Sequence, residues 1–374
     1  MPTSGAAAAG SPGLLVRDVA FSRGEERILE RVSFEVPRGR LVAVVGPSGA
    51  GKSTLLSLLA GFERPSAGTI SFAGTDWRRL SPSERAVGMS FDDAALHEHL
   101  TVRANIDSAA LGRGEPSDRR HDRVKSLMRS LGIEHLADRH PAALSAGERR
   151  RTAIARVFIR APQLVLLDEP FANLDRANRF SIRQMVRELQ RSTGAAAIVV
   201  THDPTDALAI ADDMLVLVRG EVRAFGPATA IAERPPDLEV AQLVDDLGMH
   251  VIEVTTDGRC DGARLSPNLV AEIEARRQRA RSTTSTLVGM RPWQIRVGEP
   301  QAPAIEIEAK LLAREPAGVF TDLIALRPDG RTLRARVPRE RAQELPIGTT
   351  VRFHIEERDA HFFAGPWPGR RLDP

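Results

Sequence analysis

The chain has 374 residues, 42% of them hydrophobic, so it has room for two domains with packed cores. Its 52 Lys and Arg residues against 49 Asp and Glu residues give a net charge of +3, which is slight for this length and does not indicate nucleic-acid binding. The single cysteine, Cys260, excludes an internal disulfide. No apolar run approaches the roughly 20 residues of a membrane span. This composition is typical of a cytosolic enzyme.

The first residues of the chain predict a tail followed by a small sheet. Residues 1–13 are rich in Ala, Gly, Ser and Pro and lack a long apolar centre, so we expect a disordered tail rather than a signal peptide. Apolar and polar residues then alternate over Leu15–Phe21 and Val32–Val36. This alternation predicts an antiparallel β flap.

A phosphate-binding loop is predicted next. The apolar run Leu41–Val45 predicts a buried strand, the run Leu55–Ala60 predicts a helix, and the residues between them match G-x-x-x-x-G-K-[ST]. In such a loop the glycines turn backbone N–H groups toward phosphates, Lys52 neutralises the β- and γ-phosphates, and the Ser53 hydroxyl binds Mg²⁺. The predicted nucleotide-binding residues of the loop are Gly46, Pro47, Ser48, Gly49, Ala50, Gly51, Lys52, Ser53 and Thr54.

The middle of the chain predicts a helical insert that ends in a second phosphate-binding feature. From about Ala94 to Ala143 the strand pattern ends, so we expect a helical subdomain over about residues 92–150. Ser145 and Gly147 then precede a helical run, Arg149–Ile159, and present a hydroxyl, amides and a helix start to a phosphate. One subunit has no use for a second anion site when Lys52 already binds the phosphates. This feature therefore indicates a site completed by another subunit.

Two further strands are predicted to end in polar side chains. The run Gln163–Leu167 is followed by Asp168 and Glu169, and the run Ala196–Val200 leads to His202. Open α/β sheets bind ligands at the carboxyl ends of their strands, so these groups are candidates for a metal ligand, a general base and a γ-phosphate contact respectively. The alternatives are a solvated acidic turn and a structural histidine.

Together these motifs resemble the ATP-binding cassette (ABC) transporter ATPases over nearly the whole chain. Leu144–Glu148 resembles the family signature L-S-G-G-Q, which separates this family from other P-loop enzymes. The other correspondences are Gly46–Thr54 with the Walker A loop, Leu164–Glu169 with Walker B, Asn173–Asp175 with the D-loop and His202 with the switch histidine.

The resemblance implies roles for the site residues. In the family, the signature of one subunit closes on the ATP that the Walker A loop of another subunit holds, so it implies a head-to-tail homodimer. Asp92 falls at the position of the Q-loop glutamine and would reach Mg²⁺ through water. The implied catalytic residues are Glu169, His202 and Asp92; the metal ligands are Ser53, Asp168 and Asp92; the signature residues acting in trans are Ser145, Ala146, Gly147 and Glu148; and the D-loop residue is Asp175.

Several residues depart from the family pattern. Ala146 adds a Cβ where the family has glycine, and Glu148 adds a negative charge beside the nucleotide where the family has glutamine. Asp92 lacks the amide donor of the Q-loop glutamine. The chain has no tyrosine, and Arg23 lies near the position where many relatives stack a ring on adenine, with Phe21 as a possible substitute. We expect these departures to affect the rate of hydrolysis and adenine selectivity.

The C-terminal third predicts a small β domain. Six short β-like runs follow Pro235-Pro236, and Pro328-Asp329-Gly330 between two of them is a hairpin signal. Leu287–Ile295 resembles a segment of the OB-like regulatory (TOBE) domain of importer ATPases for maltose, polyamines, ferric iron or phosphonates. An OB fold alone is compatible with oligonucleotide binding, but only 4% of the residues are aromatic and no basic-aromatic face is visible, so we expect no nucleic-acid partner. The six runs are Val251–Thr255, Thr286–Val288, Ile305–Leu312, Thr321–Leu326, Arg331–Val337 and Thr349–Ile355.

We therefore expect an α/β P-loop NTPase core with an antiparallel β flap and a helical subdomain over residues 14–238, and an OB-like β domain over residues 239–374. The resemblance implies the Mg²⁺-dependent ATPase subunit of an importer, peripheral on the cytoplasmic face of the cell membrane. It would work as a homodimer with two transmembrane permease subunits and, indirectly, an external solute-binding protein. Two alternatives remain open: a nucleotide-binding switch with weak turnover, and a soluble ABC ATPase without a transport role.

Overall fold

A computed structural model describes residues 13–91, 95–111, 116–260 and 262–372. Asp92, predicted to contact Mg²⁺, lies outside the described residues, and so does most of the predicted N-terminal tail. The chain divides into two compact units, one up to Ile231 and one from Ala232 onward.

The first unit contains two sheets and a group of helices. Its elements in chain order are β1 (Leu14–Arg23), β2 (Glu26–Val36), β3 (Leu41–Val45), α1 (Lys52–Ala60), β4 (Ala67–Phe72), β5 (Thr75–Asp76), β6 (Val87–Ser90), α2 (Val102–Ala110), α3 (Ser117–Ser130), α4 (Ala146–Phe158), β7 (Leu164–Asp168), α5 (Arg176–Thr193), β8 (Ala196–Val200), α6 (Pro204–Ile210), β9 (Asp213–Val218), β10 (Glu221–Pro227) and α7 (Ala228–Glu233), which contains the division between the units.

The predicted antiparallel flap is a four-stranded sheet in the order β2-β1-β4-β5. Its first two strands are longer than the alternation predicted, because they continue to a tight hairpin in which Arg23 pairs with Glu26 and Gly24 takes a positive φ of 62°. The apolar face of β1 and β2 packs into the same core as β3 and α1. The flap is therefore part of the fold around the phosphate-binding loop.

The second sheet is six-stranded, in the order β10-β9-β3-β8-β7-β6, and parallel except for β10. Strands β3, β7 and β8 are buried along their whole length, which is why their sequences are continuous apolar runs. Val200 pairs with Val44 on one side and with Asp168 on the other. This register brings the carboxyl ends of three neighbouring strands to one edge of the sheet, as predicted.

Between β6 and β7 every element among the described residues is helical, as predicted. Two short 3₁₀ turns, Glu134–Leu136 and Pro141–Ala143, separate α3 from α4. The helices share an apolar core of their own that includes Ile106, Met128 and Leu136. The helix predicted from Arg149 begins earlier, at Ala146, because Ser145 caps it.

The second unit carries a small β domain. Its elements are α8 (Leu238–Leu243), β11 (His250–Val254), α9 (Pro267–Arg279), β12 (Thr286–Met290), β13 (Arg296–Val297), β14 (Ala304–Ala317), β15 (Phe320–Leu326), β16 (Thr332–Pro338), α10 (Arg339–Gln343), β17 (Thr350–Glu356), the 3₁₀ turn Glu357–Asp359 and β18 (His361–Ala364). Both of its sheets are antiparallel, in the orders β11-β12-β18 and β13-β17-β14-β15-β16.

All six strands predicted in this part of the chain are present, and the hairpin predicted at Pro328-Asp329-Gly330 joins β15 to β16. The sequence interpretation missed α9, although Ser266 before Pro267 is a helix-start signal: the Ser266 hydroxyl oxygen accepts the Leu269 N–H at 3.1 Å. No helix among the described residues is long and apolar enough to cross a membrane.

Candidate active site

The loop between β3 and α1 has the backbone shape that its sequence predicts. Gly49 and Gly51 have φ values of 78° and 98°, in the region that glycine adopts at low cost. A Cβ on Gly46 would lie 2.0 Å from the Leu217 carbonyl oxygen of β9, so only glycine fits there. Lys52, the first residue of α1, donates to the carbonyl oxygens of Gly46 at 2.7 Å and Pro47 at 2.9 Å. The loop therefore curves around the lysine ammonium group.

Two opposing effects act on the pKa of Lys52. Partial burial lowers the pKa of Lys52, while the negative charges of Glu169 and Asp168 act in the opposite direction. The lysine therefore lies close enough to the two carboxylates at the end of β7 to interact with their charges. Ser53, the next residue, is exposed.

Asp168 and Glu169 stand at the end of β7, where predicted. Asp168 is buried, and the backbone of Glu169 has a φ of 45°, an unusual value for a residue with a side chain. The Glu169 N–H donates to the Val200 carbonyl oxygen at 3.0 Å, which holds this strained conformation. Glu169 Oε2 lies 2.9 Å from His202 Nδ1. The predicted general base, Glu169, and the predicted switch histidine, His202, are therefore in direct contact.

The first turn of α4 forms a capping box. The Ser145 hydroxyl oxygen accepts the Glu148 N–H at 3.4 Å, while Glu148 Oε2 accepts the Ser145 N–H at 2.8 Å and the Ser145 hydroxyl proton at 2.9 Å. These hydrogen bonds lower the pKa of Glu148. Their contribution to stability is present above the ordinary carboxyl pKa and is lost as the pH falls through the lowered value. The S-x-x-E pattern was visible in the sequence and explains the earlier helix start.

The two signature positions with small residues have different surroundings. Ala146 is exposed, so its Cβ points to no neighbour that would clash, whereas Gly147 is buried. A Cβ on Gly147 would lie 2.7 Å from Asn178 Oδ1. Asn178 in turn donates through its N–H and its Nδ2 to the Asp175 carboxylate at 2.9 and 2.5 Å. Asn178, which the sequence did not single out, therefore joins the D-loop residue to the signature helix.

The prediction that Phe21 could stack on adenine is wrong. Phe21 is only 6% exposed and packs in the core of the first unit, so its ring offers no face for stacking. The strand alternation that predicted β1 also places Phe21 on its buried face. Arg23 is exposed at the end of β1, with Nη2 3.5 Å from Glu63 Oε1.

A turn between β9 and β10 joins the flap to the phosphate loop. The Gly220 carbonyl oxygen accepts the Glu30 N–H of β2 at 2.9 Å, and the Gly220 N–H donates to the Ala50 carbonyl oxygen at 3.1 Å. Gly220 has a φ of 79°, and a Cβ there would lie 2.3 Å from the Ile28 carbonyl oxygen. Both the positive φ and the close approach require glycine at this position, so the contact between the flap and the phosphate loop depends on Gly220.

Comparison with known proteins agrees with this geometry. Residues 29–172 match the family profile described as "ABC transporter". The chain is 33% identical over 342 residues to the sn-glycerol-3-phosphate import ATP-binding protein UgpC 3 of Agrobacterium fabrum, covering 91% of this chain and 94% of that protein. It is 34% identical over 280 residues to the lactose transport ATP-binding protein LacK of Rhizobium radiobacter, covering 74% and 77%.

A solved structure resembles the first part of the fold. The cbiO1 protein of Clostridium perfringens, described as part of the ABC transporter complex cbiONQ, matches 59% of this chain and 90% of its own, with 28% identity and a TM-score of 0.56. A P-loop ATPase core with a phosphate loop, an acidic strand end and a signature helix defines the ABC class of ATPase. The chain belongs to the family of ABC transporter ATP-binding subunits and is an ATPase subunit of the importer type.

Proposed function

We propose that this subunit hydrolyses Mg²⁺-ATP at two composite sites of a head-to-tail homodimer. The observation that carries the proposal is the cluster of Lys52, Glu169 and His202 at one edge of the sheet, with the His202–Glu169 contact of 2.9 Å. Lys52 would leave the loop carbonyls for the β- and γ-phosphates, and the helix start at Ser145 in the partner would contact the γ-phosphate.

The donor set at this edge suits Mg²⁺. A serine hydroxyl at Ser53 and a carboxylate at Asp168 are hard oxygen ligands, and Mg²⁺ bound to a nucleotide keeps several waters and phosphate oxygens rather than an all-protein cage. No cluster of three or more His, Cys, Asp or Glu side chains suited to a metal exists among the described residues. When bound, the ion would offset phosphate charge.

The chemical step follows from the positions of two side chains. Glu169 would accept the proton of the attacking water, and its partly buried carboxylate, 17% exposed, is shielded from bulk solvent. His202, whose side chain is 68% exposed, would contact the γ-phosphate and orient Glu169 through Nδ1. Closure of the dimer on ATP would supply the free energy that drives transport, because the closed state alone makes both sets of phosphate contacts.

A cleft in the first unit supports docking of a permease. The cavity has a volume of about 300 Å³ and lies between β6 and α4. It combines apolar side chains with cationic ones, which suits an amphipathic helix of a membrane subunit that carries an acidic residue. The chain would then lie peripherally on the cytoplasmic face of the membrane. Residues lining the cleft include Met89, Phe91, Leu96, Arg156 and Arg160.

The cargo of the complex is inferred from the relatives alone. Those compared are named for the transport of glycerol 3-phosphate and of lactose, which supports a small polyhydroxylated solute or its phosphate ester as the cargo. The ATPase subunit would not touch this solute, since an external binding protein and the permeases would select it.

The proposed function is tested by purification from native membranes and by an ATPase assay. We expect two hydrophobic permease subunits to come with the chain and ATP hydrolysis to depend on Mg²⁺. A chain that is recovered alone would contradict the transport assignment, and one that hydrolyses no ATP in the complex would contradict the catalytic one. Leu96→Asp is expected to abolish co-purification while the free subunit keeps its ATPase rate, because Leu96 lines the cleft and is separated in sequence from every residue assigned to the nucleotide site.

Glu148→Gln is expected to favour the closed dimer. Glutamine retains the acceptor that the capping box needs but removes a negative charge from the helix start that would face the γ-phosphate. We expect the ATP concentration for half-maximal dimerisation to fall about three- to tenfold, as the removal of one like-charge contact would give. Analytical ultracentrifugation across an ATP titration measures it. An unchanged midpoint together with an unchanged melting temperature would refute the charge argument.

A further inference from the structure

A ladder of ion pairs joins the helix after the D-loop to the helix after the switch histidine. Arg179, Arg183 and Arg187 stand four residues apart on α5 and therefore share one face of the helix. Each pairs with an aspartate beside it: Arg179 Nη1 with Asp203 Oδ2 at 2.6 Å, Arg183 Nη1 with Asp206 Oδ1 at 2.9 Å, and Arg187 Nη1 with Asp212 Oδ2 at 2.9 Å.

The first step of this ladder lies next to the catalytic centre. Asp203 directly follows His202, and both of its carboxylate oxygens have partners: Oδ2 accepts from Arg179, and Oδ1 accepts the Thr205 N–H at 2.8 Å as the cap of α6. The Asp203 N–H donates to the Thr201 hydroxyl oxygen at 3.1 Å. The backbone on both sides of His202 is thereby fixed.

The His202 side chain itself has little packing to hold it. It is 68% exposed, and its contact with Glu169 is made by a single ring nitrogen. An exposed imidazole takes its position from the backbone that carries it, so the constraint on Asp203 sets how far His202 reaches toward Glu169.

Arg179 also offsets the repulsion between two neighbouring aspartates, Asp203 and Asp206. Asp206 is almost fully buried, with 3% of its side chain exposed, and its Oδ2 lies 3.8 Å from Arg179 Nη1. Burial first and the charge of Asp203 second raise the pKa of Asp206, and the charges of Arg179 and Arg183 oppose that rise. Without Arg179 the two carboxylates would repel across the first turn of α6.

We propose that Arg179 is a positioning residue for His202: it ties Asp203 to α5, the helix capped by Asp175, so that the D-loop and the switch histidine move together. This inference rests on the proposed hydrolytic function. It adds a residue that touches neither nucleotide nor metal. Because α5 is capped by Asp175, a displacement of the D-loop on dimer closure would reach His202 through the Arg179–Asp203 pair.

Arg179→Met tests the proposal, with Arg187→Met at the far end of the same ladder as the matched control. Methionine keeps the aliphatic length and removes the charge. We expect Arg179→Met to lower kcat about ten- to a hundredfold with an unchanged Kd for ATP, since a displacement of about 1 Å in a catalytic group has effects of this size. We expect Arg187→Met to lower the melting temperature but to leave kcat within about twofold of the wild-type value.

Three further variants separate positioning from general destabilisation. Asp203→Asn retains an oxygen to cap α6 but loses the charge that Arg179 pairs with, so it should lower kcat as much as Arg179→Met, and the double variant should be no slower than either single one. Arg179→Lys should restore part of kcat. Equal kcat values for Arg179→Met, Arg187→Met and wild type, or additive losses in the double variant, would overturn the inference. A wild-type chain without hydrolysis would instead overturn the proposed function.

Discussion

Replacing Glu169 by Gln is expected to leave an ATP-bound dimer that hydrolyses about 10²- to 10³-fold more slowly than the wild type, the size of effect given by loss of a general base. Glutamine has nearly the same shape as glutamate and remains in reach of His202 Nδ1, but its amide cannot accept the proton of the attacking water. It also removes one negative charge that faces Lys52, so ATP binding should be at least as tight.

Measurement of this variant combines size-exclusion chromatography in the presence of Mg²⁺-ATP with single-turnover hydrolysis. Glu188→Gln is the matched control, because Glu188 is exposed on α5 and outside the site. The control should elute and turn over as wild type does. A Glu169→Gln protein that hydrolyses ATP at the wild-type rate would remove Glu169 from the role of base, and one that stays monomeric with ATP would contradict closure of the dimer before hydrolysis.

Gly147→Ala is the second substitution with a large expected effect. The added Cβ would meet Asn178 Oδ1 at 2.7 Å, a distance that real side chains do not tolerate, so the Asn178 side chain must shift from its place beside Asp175. We expect a loss of about 1–3 kcal/mol in the free energy of unfolding, as for other overpacked sites. The shift of Asn178 would also disturb Asp175, the proposed D-loop residue to which it donates two hydrogen bonds, and we expect about a tenfold to hundredfold fall in kcat.

The double variant Gly147→Ala/Asn178→Ala identifies the cause. Truncation of Asn178 removes the atom that the new Cβ meets, so the double variant should regain most of the melting temperature and most of kcat, although the Nδ2 hydrogen bond to Asp175 is lost. Asn178→Ala alone measures that loss. Recovery of stability without recovery of kcat would indicate that the glycine is required for approach of the nucleotide and not for packing within the subunit.

The motifs carried in continuous segments could be predicted from sequence. The predicted limits are correct for strand β3, the loop to Lys52 and strand β8. A buried parallel strand has a continuous apolar sequence, and a phosphate loop has a fixed spacing of glycines and lysine, so both can be recognised in a sequence. The register of the sheet then places Glu169 and His202 together without any information beyond the order of the strands.

The residues that the sequence did not single out act between separate segments. Asn178 lies 31 positions from the predicted residue Gly147 and reaches it because α4 and α5 pack together. Arg179 meets Asp203 for a similar reason, and an arginine on a helix surface gives no sign of its partner in the sequence. The error at Phe21 is of another kind, since the alternation along β1 already indicates that its ring lies on the buried face of the flap.

The junction at Gly220 has a thermodynamic consequence for the nucleotide. Its two hydrogen bonds fasten the flap, which carries Arg23, the residue predicted to lie near adenine, to the loop that carries Lys52, the residue proposed to bind the phosphates. The two ends of the ligand would therefore meet surfaces whose separation is already set by the fold. Such preorganisation would lower the conformational entropy lost when ATP binds, so a larger share of the contact energy would be left for bringing the two proposed subunits together.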